Sequence, residues 1–597
     1  MLKNLAAGWR GYWDSLAIGF RAHRKAAIGQ IALACFQALL MPCALYAMKL
    51  LIDSVQSGDE TRAYVAAAVL TGTVAAIWTG MFAFIKLVFL VLFHANRTAD
   101  RALMDLMGRP PGLDHHERAE YLDEVQRIRE ERWLLGSAVN WTSQWLRSFM
   151  ILVVGGTMLA QVHPLMLLFP ALALVAMAVA RRASIIEINA MEATSERERR
   201  RRHLFEVATA PESGKELRIF GSADEVARRH LETGREVVAE RNRAQWRAAF
   251  AAGTEGPLMA VAMALGIGFV LFLAVRGQAT AGDVVLLVGL VSMVAGQAGG
   301  LAVRTVLLVR TGRLGRRIAW LKRYAESARD PLDPAPVPER LTDGIRFDRV
   351  DFSYPESERP ALRQVSLHLP AGKVVALVGE NGSGKTTLVK LLSGFYPPTE
   401  GRILVDGIDL DRIAAADWRP RIGATFQDYT RFEFDARESV GVGDLGAGFE
   451  EDRVRGAMDR AGSSDLIDDL PDGLDTRLGG RWEDGADLSG GQWQKIAVGR
   501  GRMREDPLLV VFDEPTAALD PQTEHLLFER FARTVRDGRD RGTATVLVSH
   551  RFSTVSMADL IVVMEDGRVA ESGSHAELMD RGGTYAELYE LQSSAYR

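Results

Sequence analysis

Two glycine-rich loops in this chain offer backbone N–H groups to anions. The first is Gly379-Glu380-Asn381-Gly382-Ser383-Gly384-Lys385-Thr386-Thr387, which follows the apolar run KVVALV and opens the amphipathic stretch TLVKLLSG. Its glycines let the backbone wrap phosphates, Lys385 can reach the β- and γ-phosphates, and Thr386 offers a hydroxyl to Mg2+. A second apolar run, PLLVVF, ends in Asp513 and Glu514. Asp513 is placed to hold Mg2+ through water, and Glu514 to polarise an attacking water. His550 closes the apolar run 544–549; at the end of a parallel strand it is expected to meet the γ-phosphate. The other loop is LSGGQWQK, 488–495, where Ser489, Gly490 and Gly491 present a hydroxyl and bare N–H groups. Either both loops grip one phosphate chain, or each grips its own, or the second reaches a phosphate held by another molecule.

These residues need strands and helices to hold them. The runs before Gly379 and Asp513 read as buried parallel strands, and TLVKLLSG as a helix whose N-terminus faces the anion. The Pro-rich ARDPLDPAPVPER, 328–340, reads as a linker into this α/β half. The 597 residues carry a net charge of −4, which gives no reason to expect nucleic acid as a partner. Hydrophobic mass lies in the first half. Six apolar runs long enough to span a bilayer fall near 27–52, 64–93, 137–160, 162–180, 257–275 and 284–309. Before them, residues 1–26 place five cations among Trp9, Trp13 and Phe20 and read as an interfacial helix. Lys and Arg concentrate in 94–136 and 181–256, including SERERRRRH at 195–203, so these segments and everything after 310 are expected on the cytosolic side. They read as transmembrane helices continuing into the cytosol, with the Arg run a solvated face. Cys35 and Cys43, eight residues apart on one helix, are too distant for a disulfide.

The set Tyr354, 379–387, Gln427, 488–492, 508–514, Asp520 and His550 resembles the ATP-binding cassette of ABC transporters. With six preceding spans, the whole chain resembles an ABC half-transporter of the exporter fold. The resemblance implies an all-α membrane domain with six transmembrane helices followed by an α/β P-loop domain. Its bounds would be 1–26 for the interfacial helix, 27–325 for the membrane domain, 326–340 for the linker and 341–597 for the nucleotide-binding domain. It implies ATP and Mg2+ as cofactors, hydrolysis by Glu514, His550, Gln427 and Lys385, and Mg2+ held by Thr386, Gln427 and Asp513. Tyr354 would stack on adenine, and 379–387 would cradle the phosphates. Gln427 would sense Mg2+ and water, and Asp520 would cross a dimer interface. In the family, Ser489 and Gly491, with Gly490 and Gln492 beside them, serve the nucleotide of a second cassette. The partner would be a second half-transporter, an identical copy or a distinct one, in a bacterial cytoplasmic membrane. A coupling turn near 203–213, before GKELRIFG (214–221), would dock on the opposite cassette.

Departures from the family pattern are small. Ala517 stands where Ser is usual, and Gly499-Arg500-Gly501 where A-R-A is usual. Each helical glycine costs about 1 kcal/mol relative to Ala, which predicts a looser helix. The lead-in RLGGRWEDGAD resembles that of bacterial exporters of peptides and secondary metabolites, so the expected cargo is a peptide, natural product or amphipathic drug-like molecule. No cysteine-protease segment precedes the first span, so leader cleavage is expected elsewhere. The alternatives are an importer of metal chelates, a lipid flippase and an ATP-gated channel; a soluble ATPase on DNA or ribosomes conflicts with six spans. Clues to substrate are confined to polar residues within the spans. Lys86 and Arg304 fall near the inner interface, where snorkelling explains them. Gln37, Arg147 and Gln297 fall deep, as packing or as cavity lining.

Overall fold

The computed structural model describes residues 2–595 apart from 212, 254, 329, 332, 358, 515–541 and 550. Asp520, His550 and Ala517 therefore lie outside the described residues. The chain divides into two compact units, one of residues 1–106 and 124–323, the other of 107–123 and 324–597.

The first unit is helical. Its long elements are α1 (Leu2–Ser57), α2 (Glu60–Gly108), α3 (Trp133–Val162), α4 (Leu168–Ala193), α5 (Ala223–Ala252), α6 (Glu255–Val275) and α7 (Ala281–Ser327). Five of the six expected spans each sit on one of these helices; the expected span 162–180 instead begins at the end of α3, crosses the tight turn Pro164–Leu167 and enters α4 at Leu168, and α5 is an added polar helix. Among the described residues, α1, α2, α3 and α7 carry windows long and apolar enough to cross a membrane, and Ala260–Val275 is a shorter apolar helix. In α4 the apolar stretch is cut by Arg181, Arg182 and Glu187. Cys35 and Cys43 are free thiols.

His23 leaves the helical region at φ −157°, ψ 79°, so α1 turns a corner between its amphipathic start and its apolar body. The start packs closely on α7: a Cβ on Gly11 would lie 2.5 Å from the Gly312 carbonyl oxygen. Tyr12 also shares a hydrogen bond with Thr142 of α3 at 2.8 Å. The Arg run lies on the helix Ser195–Thr209 and is not simply solvated. Arg197 pairs with Glu240 of α5 at 2.5 Å, and Arg202 with Glu130 at 2.8 Å. These charges tie helices together.

The second unit holds two sheets. Antiparallel strands β1 (Gly344–Phe352), β2 (Leu362–Pro370), β4 (Glu400–Val405) and β5 (Ile408–Asp409) run in the order β2-β1-β4-β5. The larger sheet has β3 (Val374–Val378), β6 (Ile422–Thr425), β7 (Leu509–Asp513), β8 (Ala544–Val548), β9 (Leu560–Glu565) and β10 (Arg568–Gly573), in the order β10-β9-β3-β8-β7-β6. Strands β9, β3, β8, β7 and β6 run parallel to one another, and β10 pairs antiparallel with β9. Every residue of β7 and β8 is buried, which is why they read as unbroken apolar runs. The helix α8 (Lys385–Leu392) packs its apolar face, Leu388, Val389, Leu391 and Leu392, into the same core as Phe347, Leu377 and Val511. A separate cluster joins α9 (Ala436–Gly441), α10 (Glu451–Arg460) and α11 (Gly490–Gly501) around Val440, Met458, Trp493 and Ile496. The expected linker is anchored to this unit: Asp330 accepts from the Ala415 N–H at 2.8 Å, and the Ala335 N–H donates to the Arg412 carbonyl at 2.7 Å.

Candidate functional site

The first glycine-rich loop turns out of β3 and enters α8. Gly379, Gly382 and Gly384 take φ of +145°, +84° and +104°, a region that favours glycine. The space beside two of them is also closed to a side chain. A Cβ on Gly379 would sit 2.2 Å from the Met564 carbonyl oxygen, and one on Gly384 2.9 Å from that of Ala361. The backbone thus forms a tight cradle with N–H groups at a helix start, which suits a phosphate chain. The Lys385 ammonium lies inside the loop, donating to the carbonyls of Gly379 and Glu380, both at 2.8 Å. Burial pulls its pKa below the ordinary lysine range, against the opposing pull of Glu514 and Asp513.

Two strands over, β7 delivers Asp513. Burial, with Glu514 adding to it, pushes its carboxyl up to about 6, partly offset by a hydrogen bond from Thr386. Its Oδ1 is buried and has no hydrogen-bond partner. A buried carboxylate oxygen without a partner, beside a hydroxyl, is a hard oxygen donor set that fits Mg2+. The next residue, Glu514, holds φ +49°, an uncommon conformation outside glycine. Its N–H donates to the Val548 carbonyl at 3.0 Å. Gln427 Nε2 donates to Glu514 Oε2 at 2.9 Å. Sequence placed these two residues 87 positions apart; the fold brings them into direct contact.

Tyr354 lies beside this cradle, its hydroxyl 3.0 Å from Thr387 Oγ1. Lys390 Nζ sits 5.2 Å from the centre of its ring. The neighbouring Tyr396 hydroxyl donates to Glu117 at 2.6 Å, and burial together with that carboxylate pushes its phenol well above the ordinary tyrosine range. Glu117 belongs to the segment 107–123, which this contact joins to the core beside Tyr354, whose ring centre is 5.6 Å from that of Tyr396. Nothing in the sequence pattern marked Glu117 or Tyr396, because their contact joins positions 279 residues apart.

The second loop is built differently. Ser489 is the N-cap of α11, and its hydroxyl accepts from the Gln492 N–H at 3.3 Å while Gln492 Oε1 accepts from the Ser489 N–H at 2.9 Å. The Gln492 side chain is thereby engaged in capping. Beside Gly490 there is open space within 4 Å of a Cβ position. The helix packs on α9, α10 and edge strand β6, whereas the phosphate cradle follows β3, three strands inward. At about 4.8 Å per strand that separation is about 14 Å in the sheet alone. The helix of the second loop thus packs on a different strand from the one that leads into the phosphate cradle.

The expectation of a loose α11 is overturned. A Cβ on Gly499 would meet Met458 Sδ at 2.3 Å, and one on Gly501 would meet Thr425 Oγ1 at 2.5 Å and the Ala424 carbonyl at 2.7 Å. The glycines let the helix approach α10 and β6 closely. Sequence reading also missed Gln494, which is 3% exposed and whose Nε2 donates to the Glu514 carbonyl at 3.3 Å. A polar residue four positions after Gly490, on the same helical face, was the available signal.

In the helical unit, Arg304 does not snorkel outward. It donates to Ser148 at 3.1 Å and to Gln144 at 3.4 Å. Ser148 in turn donates to Gln297 at 2.9 Å, so Gln297 is a packing residue. Gln37 lies against Gly80 of α2, where a Cβ would be 3.0 Å from its Nε2. Arg147 is 5.7 Å from the centre of the Phe84 ring. Beyond the helix Ser195–Thr209, Ile219 and Phe220 of GKELRIFG, the stretch that follows the expected coupling turn, are 81% and 73% exposed.

A family model described as ABC transporter matches residues 362–517. The chain is similar to the ATP-dependent lipid A-core flippase of Ralstonia nicotianae, 40% identical over 264 residues, 44% of this chain and 43% of that protein. The flippase of Albidiferax ferrireducens is 34% identical over 388 residues, 63% of each chain. The structure resembles that of a bacterial Atm1-family ABC exporter with ATP bound, with TM-score 0.71 and 25% identity, covering 96% of this chain and 98% of that one. The chain spans less than half the length of the first of these flippases. Fold and site together define a membrane protein with an ATP-binding cassette. Residues 362–517 carry an ABC transporter domain, and the chain has the build of an exporter-fold half-transporter.

Proposed function

We propose that two such chains form an ATP-driven exporter in a bacterial cytoplasmic membrane, in which cassette closure on ATP and hydrolysis drive alternating access. What carries this reading is the union, in one chain, of the Asp513–Glu514–Gln427 arrangement with helices long and apolar enough to cross a membrane. Mg2+, when bound, supplies charge neutralisation to the phosphates, and Asp513, Thr386 and Gln427 are the residues that would hold it. Lys385 exchanges the Gly379 and Glu380 carbonyls for β- and γ-phosphate oxygens. Glu514, oriented by Gln427, polarises the attacking water. His550 contacts the γ-phosphate, Tyr354 carries the adenine, and Asp520 lies at the dimer interface. Ser489 and Gly491 serve the partner's nucleotide, a reading supported by the packing of α11 on edge strand β6 while the cradle follows β3.

For the cargo, the reading is an amphiphile. A cavity of about 1220 Å3 between α3, α4 and α7 is walled by Trp145, Phe149 and Leu301 and edged by Arg181, Arg182 and Arg313. Apolar walls with cations at the edge favour an acidic amphiphile, which keeps the lipid-flippase reading beside that of a peptide or drug exporter. Reconstituted protein would be assayed for ATPase stimulation by acidic phospholipids, amphipathic peptides and cationic drugs, with transport followed in inside-out vesicles. Stimulation and uptake into those vesicles by an acidic amphiphile are expected. Movement in the opposite direction would establish an importer, and the absence of ATPase activity would overturn the reading.

A further inference from the structure

The helix that carries the second glycine-rich loop also touches the residue proposed to activate water in its own chain. Gln494 lies one turn after Gly490 in α11, is 3% exposed, and donates to the main-chain carbonyl of Glu514 at 3.3 Å. Glu514 is an unusual residue to hold in this way. Its φ of +49° is uncommon for a side chain other than glycine, so its backbone depends on neighbours to define it. Its N–H is fixed to Val548 by one hydrogen bond, and its carboxylate to Gln427 by another. The hydrogen bond from Gln494 reaches the remaining polar group of the same residue.

The helix that supplies Gln494 is stiff. Its N-terminus is closed by the reciprocal Ser489–Gln492 capping bonds, and its C-terminus is pressed on Met458 and Ala424 through Gly499 and Gly501. A displacement at Ser489 and Gly490 is therefore carried to Gln494 as a rigid-body shift and not absorbed within the helix. A second tie runs nearby, from the Tyr429 hydroxyl to the Gly490 carbonyl at 2.9 Å.

We propose that Gln494 is a positioning residue that makes Glu514 of each chain respond to engagement of that same chain's second loop on the partner's nucleotide. Hydrolysis at one composite site then depends on occupancy of the other. The inference rests on the dimeric ATPase proposed above. Within that dimer, the Ser489 loop of a chain completes the partner's site, while Gln494 reports on it to the chain's own Glu514.

The test uses mixed dimers of two differently tagged full-length chains, in which one chain carries Glu514→Gln and only the other hydrolyses ATP. Gln494→Leu is placed either in the hydrolysing chain or in the silent one. A lost neutral hydrogen bond predicts a rate reduced about three- to tenfold, with KM for ATP little changed, when the substitution is in the hydrolysing chain. In the silent chain, whose loop completes the active site, the rate stays within about twofold. Gln494→Met, of similar length and without a donor, gives the same pattern should the Leu variant fail to fold. Loss that follows the silent chain, equal loss in both placements, or no loss in either overturns the proposal. The mixed dimer with Gln494 intact separately reports whether the ATPase reading stands.

Discussion

The two units of this chain keep their polar residues in order by opposite means. In the cassette, the polar groups proposed to act on phosphate sit at strand ends and loop turns, each within a few residues of the apolar run that positions it. Asp513 ends β7, and Lys385 begins the helix that follows β3. In the helical unit, polar groups are matched across distant helices. Tyr12 of α1 shares a hydrogen bond with Thr142 of α3 at 2.8 Å, and Lys49 of α1 pairs with Asp283 of α7, 234 residues away. The first arrangement keeps polar groups ready for a ligand. The second satisfies them within the protein, as a low-dielectric setting demands.

The sharpest way to break the comparison is to remove a ligand-facing group from the cassette. Glu514→Gln should keep the fold and ATP binding and lower turnover by about 10²–10⁴-fold, the range for loss of a general base. Near-normal phosphate release by the purified variant would show that Glu514 is not the activating group. Next in size is a test of the two loops acting between chains. In mixtures of Lys385→Ala and Gly491→Asp chains, a mixed dimer has one site with both lesions and one with neither. Nucleotide trapping should return in the mixture to about one site per mixed dimer and be absent from either pure variant, because on this reading each nucleotide is completed by the partner's second loop. Trapping by the pure Gly491→Asp chain would mean that the loop does not serve a nucleotide.

Asp513 gives the comparison a pH dependence. Its carboxyl is pushed up to about 6 by burial. A carboxyl raised above its unfolded value of about 3.9 adds stability below that value, and the contribution is lost as pH rises through the folded one. At neutral pH the site holds a buried anion that a cation relieves. Apparent Mg2+ affinity, measured by nucleotide-dependent fluorescence, should therefore weaken as pH drops below about 6, approaching tenfold per pH unit. Asp513→Asn should bind weakly with no such slope in this range. An unchanged slope in that variant would assign the titration elsewhere.

How much of this was readable followed the same division. The placement of the loop 379–387 between β3 and α8, and of Asp513 and Glu514 at the end of β7, was legible because apolar runs mark buried parallel strands and the motif is continuous in sequence. Gly499 and Gly501 were misread. Propensity alone says loose helix, whereas contact with Met458 and Ala424 makes glycine the residue that fits. Arg304 was misread for a related reason: depth along a helix is visible in sequence, but the hydrogen bonds to Gln144 and Ser148 on another helix are not. A substitution separates propensity from packing. Gly501→Ala should destabilise the cassette by about 1–3 kcal/mol, the usual cost of overpacking, read as a lowered unfolding midpoint. Propensity predicts stabilisation by about 1 kcal/mol instead.

The smallest effect concerns Arg147, where the helical unit departs from its own rule. Its neighbours in α3 are satisfied internally: Gln144 donates to Asn140 at 3.1 Å and accepts from Arg304, while Ser148 links Arg304 to Gln297. Gln144, the near partner that could have absorbed the charge, is therefore taken. Among the described residues, Arg147 meets the Phe84 ring at 5.7 Å, near the outer limit for a cation–π contact. A guanidinium held so weakly in a membrane helix resembles the ligand-ready groups of the cassette. Arg147→Gln should shift the unfolding temperature by less than Arg304→Gln, which breaks the links to both Gln144 and Ser148. It should also lower stimulation of ATPase by acidic amphiphiles more than stimulation by cationic ones. If Arg147→Gln proves as destabilising as Arg304→Gln and stimulation by both classes survives, Arg147 is a packing residue, and the helical unit satisfies its polar groups internally at this position too.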